Sequence, residues 1–139
     1  MSNREIKFRA WNGEKMITQF DGIANIDTFN TSPKKQLLVC IGGYSWGTAN
    51  WGTNVILEQY TGLKDRNGVE IYEGDVLEYI SSNLFSLGEK IRLSVSYVQA
   101  RFWCHGVNNG SNIGIYLAEL IDTEKCKVIG NIHQNSELL

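Results

Sequence analysis

Four carboxylates, Asp65, Glu70, Glu73 and Asp75, lie close together in the stretch Tyr60 to Tyr79 (YTGLKDRNGVEIYEGDVLEY) and could hold a hard cation. Asp65-x-Asn67-Gly68 echoes the start of a calcium loop, but the further ligand position and the distant bidentate glutamate are missing. Turn chemistry is the competing account: Asp65 caps a turn, and Glu73 and Asp75 flank a bend. Cys104-His105, Cys126 and His133 are the soft-ligand candidates, without the paired spacing of a small zinc site. Adjacent strand residues point to opposite faces, so Cys104 and His105 make a poor chelate, and a buried Cys with an exposed His is expected. A Cys104–His133 nucleophilic pair would need a third, orienting group that no pattern supplies. GxGxxG and Walker phosphate loops are both absent. The reading is therefore no catalytic residue, no metal and no cofactor.

Aromatic and basic residues offer contact rather than reaction. Trp46 and Trp51, with Tyr44, sit in the loop Gly42 to Asn54 (GGYSWGTANWGTN), where side chains of this kind anchor interfaces or stack on bases. The alternative is that they fold back over a sheet. Lys7 and Arg9 project from one strand face, Arg92 and Arg101 from another, and Lys34-Lys35 stand on a loop. With Tyr and Trp nearby, such residues could line a groove for single-stranded nucleic acid, but acidic residues balance them and solvated strand faces are the preferred reading.

The elements that must hold these residues read as strands. Ile6, Phe8 and Ala10 alternate with Lys7 and Arg9, and Asn12-Gly13 turns the chain toward Met16 to Phe20, giving a hairpin. Leu37 to Ile41 has the length of a strand buried on both faces. Val55 to Tyr60 leads into the acidic stretch, where Asn67-Gly68 predicts a type I′ hairpin turn and Gly74 a second break. Val76 to Ile80 resumes as a strand. Ile91, Leu93, Val95 and Tyr97 alternate most cleanly of all, and Val98 to Trp103 either continues that strand or forms its partner after a bend. Asn108 to Ser111 is a turn, Ile113 to Leu117 a strand, and Leu117, Leu120 and Ile121 also fit helical spacing. Cys126 to Ile132, interrupted by Gly130, is the last strand. Short strands separated by frequent turn signals predict a mainly β fold, small and barrel-like or of strongly bent antiparallel sheets with short helical turns.

A chain of 139 residues with 42% apolar and 20% charged residues suits a single domain over 1–139, with an N-terminal β subregion at 1–54 and a barrel-like core at 55–139. The net charge of −2 gives no general pull toward nucleic acid or anionic membrane. No apolar run suits a secretory signal or a bilayer span, so a soluble intracellular protein without membrane contact is expected. The three cysteines, Cys40, Cys104 and Cys126, without a CxxC pair, fit reduced thiols.

Three blocks resemble the YopX family of phage and prophage proteins. They are Arg4-Glu5-Ile6-Lys7-Phe8-Arg9-Ala10-Trp11, the Tyr60–Tyr79 stretch with Glu58-Gln59 before it, and Val128 to Leu139 (VIGNIHQNSELL). The family usually carries an aromatic where His133 stands and a proline where Ser136 stands. The resemblance implies a mainly β fold, occurrence in bacterial viruses and prophages, and expression in the cytoplasm of the bacterial host cell, and brings no established reaction. The functional expectation is a non-catalytic binding or assembly module that self-associates or engages a protein partner. Single-stranded nucleic-acid binding is the alternative, and a nucleotide-acting enzyme a more distant one.

Overall fold

Alternating strand patterns and closely spaced turns build antiparallel sheets, and one of them curls strongly into a half-barrel. In the computed structural model, residues 5–20, 22–26, 36–40, 55–82, 84, 87–122 and 125–139 are described. The chain divides into two units, Phe8–Glu58 and a second made of Met1–Lys7 with Gln59–Leu139.

In the Phe8–Glu58 unit, β1 (Phe8–Trp11) pairs antiparallel with β2 (Met16–Ile17), Ala10 opposite Ile17. Asn12 turns the hairpin: its Oδ1 accepts the N–H groups of Glu14 and Lys15, both at 2.9 Å. A second hairpin joins β3 (Gly22–Ile26) to β4 (Gln36–Cys40). Ala10 and Val55 form a small core with Ile17, Phe20 and Leu57 against them. Strand β5 (Ile56–Lys64) begins in this unit and ends in the other.

In the second unit β5 pairs with β6 (Glu70–Tyr72), Lys64 opposite Glu70. The remaining strands are β7 (Asp75–Ile80), β8 (Lys90–Val98), β9 (Arg101–Asn108), β10 (Ser111–Tyr116) and β11 (Cys126–Asn131). They form one antiparallel sheet in the order β10-β9-β8-β7-β11. Leu77 faces Leu93, and Val95 faces Cys104, so one side of the sheet is continuously apolar. The segment Leu117–Asp122 is the helix α1, which resolves the strand-or-helix choice left by the sequence. Its Leu117 and Leu120 enter the core beside Ile71, Leu77, Leu93 and Cys104. Each fully buried Leu or Ile of this set contributes about 2 kcal/mol of transfer free energy.

The turn after β5 differs from the type I′ expected at Asn67-Gly68. Only Gly68 has positive φ, at 79°, and its N–H donates to the Asp65 carbonyl at 3.0 Å. This is a type I turn followed by a left-handed glycine. The cause is Asp65, whose Oδ1 accepts the N–H of Asn67 at 2.8 Å and of Val69 at 2.9 Å, holding the turn in the right-handed region.

Candidate functional site

Strands β8, β9 and β10 put alternate side chains on the sheet face opposite the core. On β9 these are Arg101, Trp103, His105 and Val107, while Phe102 and Cys104 face the interior. Register sets Tyr116 of β10 opposite Trp103, and Gly114 opposite His105. The Trp103 and Tyr116 rings meet edge to face with centroids 4.8 Å apart. The Arg101 guanidinium stands 4.7 Å over the Tyr116 ring, a cation–π contact. A β-carbon on Gly114 would fall inside the Trp103 ring, so the indole lies flat across β10 only because residue 114 is glycine.

The rim of this surface is the β8–β9 turn, in which Gln99 and Ala100 both have positive φ, 50° and 62°. Neither residue type favours that region, so the turn is held by its flanking strands rather than by its own preference. A groove of about 320 Å³ runs between the turn and the aromatic pair, lined by Val98, Gln99, Arg101, Trp103 and Tyr116. Around Arg101 and Tyr116 it meets a second hollow of about 380 Å³ lined by Leu63, Phe102 and Leu117. Tyr97, its ring tilted against Phe102 with centroids 5.1 Å apart, is 50% exposed at the same end, and Tyr116 is 36% exposed. Rigid aromatics, one arginine and shallow relief suit contact with a partner.

Ser94 and His105, also on this face, have Oγ and Nε2 3.2 Å apart. Ser94 is buried and its hydroxyl also lies 3.4 Å from the His105 carbonyl oxygen. Among the described residues no carboxylate is seen to orient the ring, the third group on which a nucleophile set of this kind relies.

The residues singled out from sequence are dispersed, and most are occupied by structural tasks. Asp65 serves the turn and also accepts the Val128 N–H through Oδ2 at 2.8 Å, fastening the turn to β11. Glu73 accepts the Gln59 N–H, and Asp75 the Tyr72 N–H, each at 2.8 Å. Glu70 pairs with Lys7 and lies 3.3 Å from the Tyr72 hydroxyl; the Lys7 hydrogen bond holds its carboxyl below the usual range. Turn and bend hydrogen bonds thus occupy Asp65 and Asp75, a longer-range backbone bond Glu73 and an ion pair Glu70. Among the described residues no group of three or more His, Cys, Asp or Glu gathers where a metal ion could be held.

Lys7 and Arg9 do not form an open basic face, contrary to what the alternation of residues 6–10 suggests. Lys7 is paired with Glu70 and Glu5, which raises its pKa, and Arg9 is buried 2.7 Å from Glu58. Cys104 is fully buried and His105 exposed, as the strand period predicts. Burial pushes the Cys104 thiol up to about 12 and Cys126 up to about 11, which removes their nucleophilic character at neutral pH. His133 belongs to the turn after β11, where its N–H donates to Asn131 Oδ1 at 3.0 Å. Tyr44, Trp46, Trp51, Lys34 and Lys35 lie outside the described residues. Sequence reading passed over Trp103, Tyr116 and Gly114. The usable signal was Arg101, Trp103 and His105 at alternate positions ahead of an Asn-Gly turn and a strand glycine.

A family model described as YopX protein matches residues 7–139. Protein EF1440 from Enterococcus faecalis is similar in structure, with TM-score 0.57, 26% identity and 99% of each chain covered. Protein yopX from Bacillus subtilis superposes with TM-score 0.58 at 20% identity, over 95% of this chain and 96% of that one, a likeness of fold. No curated protein matches the chain.

Proposed function

This chain belongs to the YopX protein family, and from that premise we propose that it is a non-catalytic binding and assembly module of a phage or prophage, acting in the cytoplasm of the bacterial host cell. The observation that carries the reading is the Arg101–Trp103–Tyr116 surface, where a glycine is reserved to let an indole lie at the sheet surface. Aromatic and arginine side chains in this arrangement supply contact energy without reorganising on binding. The partner is a protein, either a host or viral chain or a second copy of this one.

A second reading, single-stranded nucleic acid, draws on the charge of the same face. Strand alternation puts Arg92, Lys90 and Lys127 on the side of Arg101 and Trp103, and Glu78 is the acid among them. Burial pushes the Glu78 carboxyl up, but Lys90 at 3.4 Å and Lys127 at 3.5 Å outweigh it and hold it low.

A separate experiment tests each reading. Trp103→Ala should lose a partner that the immobilised wild-type chain retains from host extract and binds again when that partner is purified. Fluorescence anisotropy with single-stranded DNA and RNA at low salt addresses the second reading, which requires binding that falls steeply with salt. Equal retention by wild type and Trp103→Ala sinks the first reading; no anisotropy change sinks the second.

A further inference from the structure

The two outer strands of the five-stranded sheet are finished differently, and the difference points to a partner. The β11 edge is closed. Its outward carbonyl at Cys126 accepts the Arg66 N–H at 3.3 Å, and its outward N–H at Val128 donates to Asp65. It also bears Lys127 and a register shift between Val128 and Gly130. Charge, bulge and covering groups are the devices by which sheet edges resist pairing.

Among the described residues the β10 edge has none of them. Ser111–Tyr116 reads SNIGIY, with no charged residue, no proline and an uninterrupted register against β9. Among the described residues no strand pairs with its other side. The two-residue Asn109-Gly110 turn makes Ser111 and Asn108 a hydrogen-bonded pair, so Ile113 and Ile115 bond inward to β9. The backbone N–H and C=O groups of Asn112, Gly114 and Tyr116 point outward.

We propose that β10 is the self-association edge of this protein, joining a second copy by antiparallel β10–β10 pairing about a twofold axis at Gly114. A twofold axis perpendicular to the sheet keeps each residue on its own face, so only residues of like parity can be opposed. Centring on Gly114 uses the whole strand: Asn112 meets Tyr116 of the second copy, and Ile113 meets its Ile115. The half-buried isoleucines then extend the apolar side across the junction, and the absence of charge removes like-charge opposition at the axis. On the outer face each copy's Trp103 ring covers its own Gly114, so no side chain at residue 114 opposes another at the axis. The occupant is a second copy because this register satisfies the strand with its own sequence. The inference rests on the assembly part of the proposed function. The two fail separately: Asn112→Pro leaves the Trp103 face in place, whereas Trp103→Ala leaves the outward amides in place.

Analytical ultracentrifugation of the full chain should show the mass rising from 15.7 kDa toward twice that value with concentration. Asn112→Pro removes an outward N–H and no bond to β9, so it should stay at the single-chain mass with an unchanged circular dichroism spectrum. Hydrogen exchange of the wild type gives a readout without substitution: the amides of Asn112, Gly114 and Tyr116 should slow as the dimer forms. A chain that remains monomeric at every concentration overturns the proposal. So does a dimer in which those three amides exchange as in the monomer, or one that a folded Asn112→Pro forms equally well.

Discussion

Strands β10 and β11 end the same sheet in opposite ways. At β11 a carboxylate from a turn 63 positions earlier reaches the backbone of the last strand, so local turn structure and sheet closure share one side chain, Asp65. At β10 regular, uncharged backbone is left facing outward beside the aromatic and arginine surface. The contrast separates stability from interaction. One edge is closed inside the molecule by a charge-assisted hydrogen bond to Asp65 and a backbone bond from Arg66, and the other has its outward amides paired to no strand among the described residues.

Proline placed on each edge in turn separates the two strands by the largest effect. Val128→Pro removes the N–H that Asp65 accepts and leaves part of a buried carboxylate unpaired, so chemical denaturation should register a loss of about 3 kcal/mol. Gly114→Ala acts beside the open edge. Its β-carbon drives the Trp103 ring off β10, at a cost of about 2 kcal/mol from overpacking, with a shift in tryptophan emission and weakened partner binding. Asn112→Pro stands at the other extreme. Monomer stability should stay within about 0.5 kcal/mol of wild type, the range of surface substitutions, while association is lost. If prolines at 112 and 128 cost the same, the two edges are not different in kind.

Much of the fold was legible because it depends on short-range pattern. Alternation predicted β8 at Ile91, Leu93 and Val95, and Gly74 was correctly read as a break, with φ 78°. The turn type at Asn67-Gly68 was not legible, because Asp65 fixes it with hydrogen bonds that the dipeptide alone does not reveal. Lys7 and the β1 residue Arg9 looked free for the same reason: Glu70 and Glu58, which pair with them, are far away in sequence. The candidate surface was harder still. Trp103 and Tyr116 meet only through the β9–β10 register, and the Gln99-Ala100 turn carries no residue that advertises positive φ. Recognition of the family rests on blocks at either end and in the middle of the chain, while the candidate surface of Arg101, Trp103 and Tyr116 lies between the second and third of them.

The unlike turns at the two ends of β9 also set an order of events in folding. Asn109-Gly110, with φ of 50° and 77°, adopts its left-handed pair readily, whereas Gln99-Ala100 must be forced into one at about 1 kcal/mol or more per residue. The β9–β10 hairpin is therefore the one expected to close first, before β8 docks beside it. Its exposed strand is then available while neighbouring chains are still incomplete, the circumstance in which edges capture one another in aggregates. Refolding yield should accordingly fall with protein concentration more steeply for the wild type than for Asn112→Pro. Equal concentration dependence in light-scattering and recovery measurements would show that the early strand is shielded during folding.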